Sequence, residues 1–110
     1  MKASSIITVT LLQASTAIAQ FWSVPYASVS WDNLQHIRVY AVDPNGAIRE
    51  WQFDGNGWKG PSFIGALARI GTIVTAVNDG DRIRVYYQLP NGRAKERIYE
   101  GKWYDGPTLP

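Results

Sequence analysis

The stretch IRVYAVDPNGAIREWQFDG, residues 37–55, is written again 46 residues later as IRVYYQLPNGRAKERIYEG, residues 83–101, and 9 of the 19 aligned positions are identical. A chain that repeats itself at a fixed spacing folds as copies of one unit, each fitting within that spacing and packing mainly on its neighbour. The copies extend in both directions. GNGWKGPSF (residues 55–63) matches GKWYDGPTL (residues 101–109) with a small shift around Trp58 and Trp103, and ASVSWDNLQH precedes the first arginine as IVTAVNDGDR precedes the second. In that alignment Trp31 falls at Val77 and Trp51 at Arg97.

The pattern inside each copy is that of short strands. Five Trp, six Tyr and three Phe stand among ten Gly and six Pro, with alternating runs between turn signals and no sustained helical period. Strands are predicted over residues 27–31, 36–42 and 47–54 and briefly at Trp58, then over 71–77, 82–88, 93–99 and 102–104. Four short strands in each repeat have the sequence form of a β-propeller blade. The chain therefore reads as all-β, with two four-stranded propeller blades, residues 20–65 and 66–110. Propellers close with roughly four to eight blades, so two blades require further copies of the chain, and two, three or four chains would complete a ring. A monomeric sandwich of two four-stranded sheets is the other architecture this pattern allows.

Residues 1–19 stand apart from the repeats. Lys2, the apolar run IITVTLL and the small-residue site Ala17-Ile18-Ala19 form a secretory signal peptide, with cleavage expected before Gln20 and the protein expected to be secreted and extracellular. The run is far shorter than the roughly 20 residues of a spanning helix, so no membrane insertion is expected. Cleavage removes one of the 11 basic residues and none of the 9 acidic ones, leaving a scattered charge close to neutral. Such a surface does not suit nucleic acid or an anionic membrane. Cysteine is absent although export would permit disulfides, and the one histidine, His36, reads as a solvated strand-edge residue without a role. No metal and no cofactor are expected.

Both copies place Pro-Asn-Gly between the arginine strand and the glutamate strand. Proline and asparagine suit the two central positions of a type I turn, and glycine the left-handed position that completes a three-residue loop with a bulge. That loop pairs Asp43 with Ala47, sets Tyr40 opposite Glu50, and leaves Arg38 one diagonal step away on the same face, roughly 7 to 8 Å off. Arg84 and Glu96 follow the same rule. A two-residue turn at Asn45-Gly46 would instead send the two charges to opposite faces. Arginine and glutamate on one sheet face also make ordinary surface ion pairs worth under about 1 kcal/mol. Yet a donor fork beside an acceptor-only carboxylate matches vicinal sugar hydroxyls, which both give and accept hydrogen bonds. Phe53 with Trp58, and Tyr99 with Trp103, follow the glutamates and serve either a sugar face or the core.

With IRVY, the NG turn, the glutamate and then GNGW or GKW, the chain resembles the fucose-binding lectins of the Aleuria aurantia type over nearly all of its length after residue 19. Its two repeats are similar to the short members of that family, and the resemblance implies a homotrimer that closes a six-bladed propeller. It also implies multivalent binding of L-fucose on fucosylated glycans and glycoproteins, at sites between adjacent blades. One site would combine Arg38 and Glu50 with Ile83, Tyr99 and Trp103. The other would combine Arg84 and Glu96 with Ile37, Phe53 and Trp58 from a neighbouring chain. The family commonly has tryptophan where this chain has Phe53 and Tyr99, which implies less ring area at both places. Two rival readings are a glycoside hydrolase-like propeller fragment and a lectin for another sugar. Hydrolysis requires two carboxyl groups about 5 to 10 Å apart around one bond, and Glu50 and Glu96 belong to different blades.

Overall fold

The computed structural model describes residues 24–110, so the expected signal peptide lies outside the described residues. Eight strands follow in order: β1 (Ala27–Trp31), β2 (His36–Val42), β3 (Ala47–Phe53), β4 (Trp58–Leu67), β5 (Thr75–Asp79), β6 (Arg82–Gln88), β7 (Ala94–Tyr99) and β8 (Trp103–Thr108). They form two antiparallel four-stranded meanders, β1-β2-β3-β4 and β5-β6-β7-β8.

The central hairpins decide which side chains share a face. Gly46 donates to the Asp43 carbonyl at 3.0 Å and Asp43 donates to the Ala47 carbonyl at 2.8 Å. The same pair of bonds, both 2.8 Å, joins Gly92 to Leu89 and Leu89 to Arg93. Gly46 and Gly92 sit at φ 89° and 88°, the left-handed conformation that the bulged three-residue loop demands. Tyr40 therefore pairs with Glu50 and Arg38 with Gln52, while Tyr86 pairs with Glu96 and Arg84 with Ile98. Both arginines lie on the face of their own glutamates.

The core is the seam between the two sheets. One face of the first sheet gives Val29, Tyr40, Val42, Ile48, Ile64 and Ala66, and one face of the second gives Ile83, Val85 and Tyr87. Period-two alternation explains the set: along β6 burial falls on Ile83, Val85 and Tyr87 and skips Arg84, Tyr86 and Gln88. Two bonds pin the seam, from Asn78 Nδ2 to the Ser30 carbonyl at 2.9 Å and from Arg97 Nε to the Ile64 carbonyl at 2.8 Å.

Several strand bounds differ from those predicted. β4 runs for 10 residues, where only a brief strand at Trp58 was expected, because Ile64 and Ala66 continue inward past the Gly-Pro pair. β7 starts at Ala94 and β3 stops at Phe53, each one residue inside the predicted bounds, while β8 extends to Thr108. β5 begins at Thr75 and not at residue 71, since Thr72 turns back to the Arg69 carbonyl at 3.1 Å. The turn after β5 holds only Gly80 and Asp81, whereas the turn after β1 holds residues 32–35. This difference of two residues shifts the equivalence: Val77, opposite Arg84, corresponds to Val29, opposite Arg38, and Trp31 corresponds to Asp79. The alignment of Trp31 with Val77 is thereby corrected.

Candidate functional site

At one end of the seam the two sheets separate to leave a cavity of about 620 Å³. Arg38 and Glu50 reach it from the first sheet, and Ile83, Tyr99 and Trp103 from the second. These five residues, widely spaced in sequence, are brought together by the fold. Tyr99 and Trp103 are ladder partners whose rings lie 5.2 Å apart, and Trp103 meets the edge of Tyr40 at 6.0 Å and 86°, joining the aromatic wall to the other sheet.

Glu50 is 3 % exposed. Its carboxylate accepts from the Tyr40 hydroxyl at 2.7 Å and from Gln52 Nε2 at 3.0 Å. Burial nevertheless dominates and pushes its pKa above the ordinary carboxylate range, although Tyr40, Arg38 and Gln52 pull it down. The Tyr40 hydroxyl is driven up as well, first by burial and then by the neighbouring Glu50 charge, and so remains a donor.

Arg38 does not spend its fork on Glu50. Its guanidinium donates to Asp54 Oδ1 at 3.0 Å and to the Ile37 carbonyl at 3.0 Å, and lies 4.9 Å from the Trp31 ring centre. Asp54 also holds His36 Nδ1 at 2.6 Å, and that ring stacks on Trp31 at 5.0 Å and 17°. His36 is thus a half-buried member of the cavity wall, which corrects its reading as a solvated residue without a role. The hydrogen bond from His36, with that from Arg38, holds Asp54 below the usual carboxylate range.

The second set of residues is divided. Arg84 and Glu96 lie on the outward face of the second sheet, where Arg84 Nε is 3.5 Å from Glu96 and its Nη2 is 2.8 Å from Glu100. Tyr86 donates to Glu96 at 2.8 Å, repeating the Tyr40–Glu50 bond. Ile37 and Phe53 lie on the outward face of the first sheet, with Trp58 half-exposed against Phe53 at 5.5 Å. Within one chain these two halves do not meet.

Sequence reasoning missed Tyr40, Gln52 and Asp54 in the first set, and Tyr86 and Glu100 in the second. Four of these belong to signals that were present: the tyrosine closes IRVY in both copies, and an acid follows each glutamate by four residues, as Asp54 and Glu100. Ser62, Phe63 and Ile64 complete the lining of the cavity. Chemically, the arrangement presents a fixed donor fork, a buried acceptor and an apolar aromatic wall around one small volume. Glu50 and Glu96 face different spaces, so they do not form a carboxylate pair around one bond.

The family model described as fungal fucose-specific lectin matches residues 4–109. Among solved structures, SapL1 lectin in complex with alpha methyl fucoside is similar at 35% identity and a TM-score of 0.66, with 81% of this chain covering 31% of that one. A fucose lectin from Kordia zhangzhouensis in complex with methyl-fucoside is similar at 31% identity and a TM-score of 0.56, with 76% of this chain covering 64% of that one. The chain thus spans about a third of the first and less than two thirds of the second. No curated protein sequence matches it.

Proposed function

The chain belongs to the fungal fucose-specific lectin family, and from that premise we propose that it binds L-fucose on fucosylated glycans without chemical turnover. The observation that carries this reading is the meeting of Arg38 and Glu50 with Ile83, Tyr99 and Trp103 around one cavity. Arg38 donates to hydroxyl and ring oxygens, while Glu50 accepts from a neighbouring hydroxyl. Tyr99 and Trp103 cover the C–H face of the ring. Ile83, buried at the cavity floor, takes the fucose methyl group. A hydroxymethyl group in that niche would lose its hydrogen bonds, so galactose is disfavoured.

The second site forms when Arg84 and Glu96 of one chain meet Ile37, Phe53 and Trp58 of the next. Three chains close a six-bladed propeller, the protein is secreted, and the ring carries six sites. Linked sites gain avidity of about 100-fold or more on glycans spaced to match. The half-exposed Phe53–Trp58 pair and the outward Arg84–Glu96 pair support this assembly, because each repeats half of the completed site.

Titration calorimetry with methyl fucoside tests the reading. Two sites per chain are expected, with Arg38→Ala weakening one and Arg84→Ala the other. Loss of charge-assisted hydrogen bonds should weaken the affected site about 100-fold. Absence of binding, or binding that neither substitution alters, would overturn the assignment.

A further inference from the structure

We infer that the site within one chain holds two linked sugars, the second seated between Asp81 and His36 at the cavity rim; this rests on the fucose reading above. A volume of about 620 Å³ lies in the range of pockets that enclose ligands larger than one sugar ring. The groups assigned to fucose line only part of it. The remaining rim is Trp31, His36 and Asp54 from the first sheet and Asp81 from the second.

Two polar groups on that rim have unused capacity. Asp81 lies in the β5–β6 turn with no polar partner among the described residues, although its carboxylate offers about four acceptor positions. His36 commits Nδ1 to Asp54, while Nε2 stands 3.7 Å from Asp32 Oδ2, beyond hydrogen-bonding distance. One group comes from each sheet, so a ring spanning the mouth can bond to both. Asp54 is already occupied by His36 and Arg38 and contributes only to holding them. An acceptor-only carboxylate selects hydroxyl or amide N–H donors and repels acidic sugars. The second residue is therefore a neutral hexose or N-acetylhexosamine.

The matching rim on the second sheet is built differently. Arg82 stands where His36 stands and is bonded to Asp79, in the place of Trp31. The extension of the binding surface consequently belongs to the intrachain site alone.

The test compares methyl fucoside with fucose linked to galactose and to N-acetylglucosamine, by calorimetry on the full chain carrying Arg84→Ala. At least one disaccharide should bind on the order of tenfold more tightly than methyl fucoside, as one or two added hydrogen bonds imply. Adding Asp81→Ala should erase that gain and leave methyl fucoside unchanged, since Asp81 is an exposed turn residue outside the fucose-contacting set. Asp81→Asn, which retains an amide acceptor, should keep part of the gain. Equal affinity for all the ligands, or an Asp81→Ala loss shared equally with methyl fucoside, would overturn the two-sugar site while leaving fucose recognition intact. Failure of methyl fucoside to bind at all would overturn both.

Discussion

Glu50 and Asp54 line the same cavity and are pushed in opposite directions. Burial raises Glu50, so in the folded chain its ionised form is disfavoured relative to the unfolded chain; this costs stability at neutral pH, and the cost is relieved as pH falls through the raised folded pKa. In the proposed role, Glu50 accepts from a sugar hydroxyl in its ionised form. Affinity at the Arg38 site should accordingly fall on acidification with a midpoint above the ordinary glutamate range, in calorimetry on the Arg84→Ala chain; a midpoint at or below that range would contradict the role given to Glu50. Asp54 behaves conversely. Its folded pKa is lowered by the bonds from His36 and Arg38, so its contribution is present above the unfolded aspartate pKa and is lost as pH falls through the folded value. The side chain is 38% exposed, so Asp54→Asn should cost under about 1 kcal/mol of stability. Its larger effect should be on binding, roughly three- to tenfold weaker as Arg38 loses its anchor. The second sheet uses Glu100 for the same purpose, at 2.8 Å from Arg84, so Asp54→Glu should restore most of the affinity. An Asp54→Asn chain that binds as tightly as the parent would remove Asp54 from the account.

The hairpin is the element on which both arginine–glutamate faces depend, and its two copies differ in what surrounds the glycine. A β-carbon at Gly46 would stand 2.7 Å from the Ala68 carbonyl oxygen, whereas at Gly92 the nearest atom is Arg69 Nη1 at 3.7 Å. Both substitutions force alanine into a left-handed conformation at about 1 to 2 kcal/mol. Gly46→Ala must also displace the segment that follows β4, whose Ala68 amide bonds to the Gly46 carbonyl at 2.7 Å. Urea denaturation should place Gly46→Ala at least about 1 kcal/mol below Gly92→Ala; equal losses would mean the contact is relaxed without cost. The parity of these hairpins was legible because Pro-Asn-Gly specifies a loop length, and loop length specifies facing. What stayed hidden was the length of the other turns. Residues 32–35 carry three consecutive positive φ values, at Asp32, Asn33 and Leu34, while Gly80-Asp81 closes the matching turn in two residues. Sequence identity fades there, so nothing in the letters showed that Trp31 answers to Asp79. The roles of the cavity members Gln52 and Asp54, and of Tyr40 behind Glu50, were hidden for another reason: they arise from which groups a buried carboxylate and a guanidinium find as partners, and strand alternation alone does not fix that.

The two sheets carry equivalent residues in unequal surroundings. Val29 is 6% exposed within the seam, whereas Val77, its counterpart on the outward face of the second sheet, is 55% exposed. Tyr40 is fully buried and Tyr86 only partly. On the opposite side, Ile83 and Val85 are buried in the seam while their counterparts Ile37 and Val39 remain half-buried on the outward face of the first sheet. Each outward face thus has the chemistry of one side of the seam, and the two are complementary in the order in which the seam itself is built. Such a head-to-tail contact either closes into a ring or continues as a filament, and two blades per chain allow closure at three copies. Val77→Asp places a charge where an assembled ring would bury it but where an isolated chain leaves it in water. Sedimentation velocity should therefore show three chains per particle for the parent and a single chain for Val77→Asp, with loss of the Arg84 site and retention of the Arg38 site in calorimetry. A parent protein that sediments as one chain across the micromolar range, or a Val77→Asp chain that remains trimeric with both sites filled, would separate the outward faces from the seam they resemble.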